Sequence, residues 1–128
     1  MSTAAPPALL AQADALLADE AAGAARRQAV RIACWLTRSA LEQQVVALLA
    51  VKGWDVGDAS MRTALSCLEA AYADDDPQLV ARAEYAWAAL SRVCHQHAYE
   101  LAPTVAEARH LRAVVAELGT YERNEVSP

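Results

Sequence analysis

The stretch "DDDPQLVARAEYAWAALSRVC", residues 74–94, carries both a start signal and the period of a long helix. Its aspartates complement the positive end of a helix, and Pro77 suits the first helical position, where an N–H has no partner anyway. From there Leu79, Ala83, Trp87, Leu90 and Cys94 recur at steps of four, four, three and four, which is the spacing of one helix face. The next proline is Pro103, so the helix is expected to run to about Leu101.

The same punctuation extends outward in both directions. Thr104-Val-Ala-Glu107 is a capping box for a last helix ending at Gly119, and 120–128, "TYERNEVSP", reads as a frayed polar tail. Upstream, Asp58 is a candidate N-cap for a helix over Ala59–Tyr72, with Leu65, Leu68 and Tyr72 on one face. Before it lies a long helix, Ala24–Val51, with apolar Val30, Cys34, Leu41, Val45, Leu48 and Leu49. Lys52 and Gly53 end it with a cation and a left-handed cap. Residues 1–23 hold a short helix from Pro6-Pro7 to about Asp19, carrying Leu9, Leu10, Ala13, Leu16 and Leu17, then a connector broken at Gly23. The expectation is one all-α domain over 1–128. It is an up-and-down bundle of four main helices plus the short N-terminal one.

Composition agrees with that class. Alanine makes up about a quarter of the 128 residues, phenylalanine is absent and isoleucine occurs once, so helix formers abound and sheet formers are scarce. Alanines at facing positions allow close helix approach, within a chain or between chains. The net charge is −5, which argues against nonspecific wrapping of duplex nucleic acid. Ten of the eleven basic residues are arginines, however, the side chain suited to forked phosphate contacts. No segment reaches the ~18 unbroken apolar residues of a membrane span. The N-terminal stretch lacks basic residues before its apolar part and does not read as a secretory signal. Cys34, Cys67 and Cys94 form no CxxC and read as small buried thiols of a reduced, cytoplasmic protein.

The chemistry concentrates in "SRVCHQHAYELAPT", residues 91–104. Cys94, His95 and His97 are metal-ligand types, but only Cys94 and His97 share a helix face and no second ligand pair accompanies them. No metal and no cofactor are expected. A di-iron carboxylate bundle would need Glu-x-x-His twice, and it occurs once, at Glu107–His110. His110 itself, between Arg109 and Arg112, reads as surface. Extending the apolar stripe by three residues from Cys94 reaches His97. A packed His97 would bond a carbonyl or a carboxylate such as Glu100 or Glu42. Arg92 lies five residues before it, about 140° around a helix, yet is long enough to reach a groove that His97 borders. A general acid–base histidine beside a phosphate-binding arginine can cleave RNA by 2′-hydroxyl attack. A twofold dimer would bring two copies of the pair to one cleft, with Arg92, Arg82, Arg109 or Arg112 guiding the substrate.

Arg92-Val-Cys-His-Gln-His97 resembles the arginine, four-to-six residues, histidine pattern of HEPN domains. The stretches "CHQHAYELAPTVAEARHL" (94–111) and "WLTRSALEQQV" (35–45) are similar to HEPN-type modules of actinobacterial proteins. The resemblance covers the chain from about residue 24 and makes 24–51 and 77–101 the two core helices. It departs from the family at Val93, where a polar residue is frequent. The resemblance implies a dimeric helical bundle acting as a metal-independent ribonuclease in antiviral defence or toxin–antitoxin growth control. Arg92 would then orient phosphate and His97 transfer the proton. Arg38, Glu42, His95 and Tyr99 are cleft neighbours by residue type. The competing reading is a noncatalytic adaptor, regulatory or antitoxin-like module that binds another chain, with His97 merely packed.

Overall fold

A computed structural model describes residues 4–95 and 102–126, with side chains through Tyr121. Five helices follow one another: α1 (Pro6–Ala18), α2 (Gly23–Val51), α3 (Met61–Tyr72), α4 (Pro77–Cys94) and α5 (Val105–Val126). They share one continuous hydrophobic core, and no strand occurs among the described residues. The protein is an all-α helical bundle.

α2 is the central element and packs against each of the other four helices. Its buried residues are Val30, Ala33, Cys34, Thr37, Ala40, Leu41, Gln44, Val45, Leu48 and Leu49, a stripe wide enough to serve several neighbours. Ala33 and Ala40 there are fully buried, as are Ala13 of α1 and Ala83 and Ala86 of α4, small side chains that permit close approach of helix backbones. α1 packs on α2 and α5, and α3 packs on α2 and α4.

Most helix ends follow local rules. Asp76 accepts the Leu79 N–H at 3.1 Å with Pro77 in the first turn, and the Thr104 hydroxyl accepts the Glu107 N–H at 3.0 Å. Asp75, next to the cap, pairs with Lys52 across the bundle. Gly53 has φ 80°, the left-handed conformation expected after α2, and Gly23 has φ 63° at the break between α1 and α2.

Three boundaries differ from the sequence expectation. The N-cap of α3 is Ser60, whose Oγ accepts the Thr63 N–H at 3.2 Å, and not Asp58. A turn closed by the Ala59 N–H on the Val56 carbonyl holds the chain off helical geometry until then. α4 ends at Cys94, not near Leu101, and His95 leaves the helix at φ −105°, ψ 19°. A downstream proline fixes only the latest point at which a helix can stop. α5 passes through Gly119 and continues to Val126, so the expected frayed tail from 120 is largely helical. Buried Leu118, and Tyr121 set edge-on to Tyr72 with ring centres 5.9 Å apart, outweigh the roughly 1 kcal/mol that a helical glycine costs.

Candidate functional site

The inner face of α4 is rotated slightly from the expected stripe. Leu79, Val80, Ala83, Ala86, Leu90 and Val93 are buried, while Trp87 and Cys94 lie half-buried at its edge. Val93, the departure from the family pattern, is therefore a core residue. Trp87 and Cys94 border α2 where it presents Arg38.

Arg38 organises this region. Its guanidinium carbon sits 4.4 Å from the centre of the Trp87 ring and 5.6 Å from that of Trp35. Its Nε lies 3.4 Å from Glu42 Oε1, an i,i+4 ion pair on α2, without hydrogen-bond alignment. One terminal nitrogen is 3.5 Å from His95 Nε2. A guanidinium can only donate, so this long contact requires the His95 lone pair on Nε2 and the ring proton on Nδ1. The Arg38 side chain is only 16% exposed, whereas that of Glu42 is 45% exposed. A cation held against two indole rings, with a carboxylate and an imidazole at its rim, is fixed in direction before any ligand arrives.

The thiols report the same environment. Burial pushes the Cys94 thiol above its ordinary value, and a hydrogen bond and charge from Arg38 oppose that rise. Cys34 is buried, and burial, helped by Cys94 and Glu107, raises its pKa from 9.0 to about 11. Cys67 and Cys94 are half-buried, less enclosed than expected, because both lie at the edges of their helices' inner faces.

From Arg38, Glu42 and Trp87 an open groove of about 780 Å³ runs between α2 and α3. Val46, Ala47 and Ala50 of α2 and Met61 and Ala64 of α3 line it, with Gly57, Ala59 and Ser60 closing the far end. Its size is that of a ligand or peptide cleft, and its floor is small and apolar.

The residues expected at a site divide into three groups. Arg38, Glu42 and His95 come together. Arg92 is exposed on the last turn of α4, beside buried Val93. His97 and Tyr99 lie outside the described residues. The arginines expected to guide a substrate are separated. Arg82 pairs with Glu117 at 3.0 Å, while Arg112 pairs with Asp14 at 2.8 Å and Arg109 donates to the Leu17 carbonyl at 3.3 Å, both tying α5 to α1. Glu107 serves the cap of α5, and His110, exposed as expected, meets the Tyr85 hydroxyl at 3.0 Å. Among the described residues, no group of three or more His, Cys, Asp or Glu side chains is placed to hold a metal ion. No described helix is long and apolar enough to cross a membrane.

No family model, curated protein or solved structure matches this chain. The HEPN resemblance rests on the motif residues themselves. Two features escaped the sequence reading: Trp35 and Trp87 as the faces that hold Arg38, and the groove beside them. The spacing of Trp35, Arg38 and Glu42 at three and four residues was a visible signal for the first.

Proposed function

We propose that the chain is a HEPN-like, metal-independent endoribonuclease, acting as a homodimer in antiviral defence or toxin–antitoxin growth control. The observation that carries this reading is the convergence of Arg38, Glu42 and His95 beside the end of the helix that bears Arg92. Arg38 would supply a pre-oriented cation in addition to Arg92 of the motif.

In the proposed reaction, His97 takes the proton from a ribose 2′-hydroxyl. The freed oxygen attacks the adjacent phosphorus, and a bond forms from phosphorus to the 2′-oxygen. The bond to the 5′-oxygen breaks, and that oxygen leaves with a proton from the second imidazole of the dimer. The products are a 2′,3′-cyclic phosphate and a 5′-hydroxyl. Arg92 orients the phosphate and stabilises the charge that develops on it. RNA cutting in EDTA that leaves cyclic-phosphate ends tests the proposal. His97→Ala should lower the rate by about 10²–10⁴-fold with helicity unchanged. Undiminished cutting by that variant removes His97 from the chemistry.

A second reading is a noncatalytic helical adaptor, regulatory or antitoxin-like module. It is favoured by the apolar lining of the groove and by the engagement of Arg38 with Trp87. Arg92→Ala separates the two. Its exposure predicts a stability change within about 0.5 kcal/mol, so lost RNA cutting at unchanged stability supports the nuclease.

A further inference from the structure

The outer face of α2 carries exposed large apolar side chains along much of its length. Ile32, Trp35 and Val46 are 40%, 47% and 44% exposed, unusual values for large apolar residues on the most central helix of a bundle. They recur with Ser39, Glu42 and Ala50 at steps of three and four, so they form one continuous stripe. Apolar surface gathered in this way marks an interaction site.

We propose that this stripe is the contact between two copies of the chain, with their α2 helices antiparallel and the twofold axis passing near residues 40–41. The arrangement of the stripe favours that occupant and that direction. Its N-terminal half is bulky, with Ile32 and Trp35. Its C-terminal half is the groove, with Val46, Ala47 and Ala50. Trp35 and Val46 are eleven residues apart, about 16 Å along a helix. An antiparallel pair centred between them lays Trp35 of each copy into the groove of the other at Val46, and brings Ile32 level with Leu49, one residue from groove-lining Ala50. Arg38 and Glu42 flank the axis, so each charge meets its opposite in the second copy. A parallel pair would set Trp35 on Trp35, leave both grooves empty and oppose like charges. The isologous contact is the usual form of a homodimer.

This contact concerns the dimer required by the nuclease reading but does not depend on catalysis. It places the two Arg38–His95 contacts on either side of the axis, within reach of one shared substrate.

The test uses the full chain in two steps. Sedimentation equilibrium at about 0.1 mM chain should give a dimer, because a complex of micromolar Kd is almost fully assembled there. Trp35→Glu should give a monomer of unchanged helical circular dichroism. A wild-type monomer overturns the proposal, as does a Trp35→Glu chain that remains dimeric. For the register, Trp35→Cys and Val46→Cys chains are mixed and oxidised, with the wild type as the control for native thiols. A crosslink between the two different variants, absent in either alone, supports the antiparallel pairing. A Trp35→Cys chain that crosslinks to itself overturns it. RNA cleavage measured on the same dimers distinguishes this proposal from the nuclease reading, since a dimer of the expected register without cleavage removes only the latter.

Discussion

Tyr72→Phe should destabilise the protein by more than the loss of one oxygen suggests. Tyr72 is fully buried, and its hydroxyl donates to the Leu48 carbonyl at 2.6 Å. That carbonyl lies in the last turn of α2. The Lys52 N–H, which would ordinarily close the helical bond to it, goes to Leu49 at 3.0 Å as the helix ends. The phenol of α3 therefore brings a donor from another helix to the end of α2. Phenylalanine keeps the ring, its edge contact with Tyr121 and the Lys52 ammonium 4.9 Å from its centre, so only the O–H is removed. A buried carbonyl deprived of its partner costs about 1–3 kcal/mol. In a domain of this size that lowers Tm by roughly 3–5 °C per kcal/mol. Urea unfolding followed by circular dichroism should show a lower midpoint at unchanged m-value. Tyr72→Leu should cost about 1–2 kcal/mol more, by losing the aromatic and cation–π contacts. A Tyr72→Phe change below about 0.5 kcal/mol would refute the claim that this hydroxyl caps α2. The bond also matters to the groove, since it ties α3, which carries Met61 and Ala64, to the helix opposite.

Other expectations concern single groups. Cys34 is protonated in the folded protein up to about pH 11 but ionises near pH 9 when unfolded. Between those values the unfolded chain binds fewer protons, so stability falls as pH rises, by about 2–3 kcal/mol in all. Cys34→Ala should flatten that window relative to wild type in urea titrations at pH 8.5 to 11, and equal slopes would contradict the assignment. Arg38→Met keeps the stem but removes the charge that lowers the Cys94 pKa, so alkylation of Cys94 at mildly alkaline pH, followed by peptide mass spectrometry, should slow. Faster modification would mean that the arginine shields the thiol more than it ionises it. Thr104→Ala removes the cap of α5 and should cost about 1 kcal/mol in thermal unfolding, with Thr104→Asn restoring most of it.

The division between what was legible and what was not follows the range of the forces involved. The all-helical class, the start of α4 at Asp76-Pro77, the Thr104–Glu107 box and the end of α2 at Gly53 were readable because each is settled by residues within about four positions. The i,i+4 spacing of Arg38 and Glu42 is local in the same way, but by sequence they stood only as cleft neighbours by residue type. The end of α4 at Cys94 and the run of α5 through Gly119 were not readable. At Gly119 the glycine rule gave way to the burial of Leu118 and the contact of Tyr121 with Tyr72, and at Cys94 the downstream proline set only a latest end.

The sequence by itself determined that five amphipathic helices form, and nearly where each begins, because helical period and capping are local. Only the tertiary structure decided that Arg38 lies against Trp35 and Trp87 with His95 at its rim, that Arg82 serves the α4–α5 seam while Arg109 and Arg112 serve the α1–α5 seam, and that α2 keeps Ile32, Trp35 and Val46 exposed. Those facts depend on how helices distant in the chain are placed beside one another. That placement fully buries small side chains such as Ala40 and Ala83, which no short window of sequence contains together.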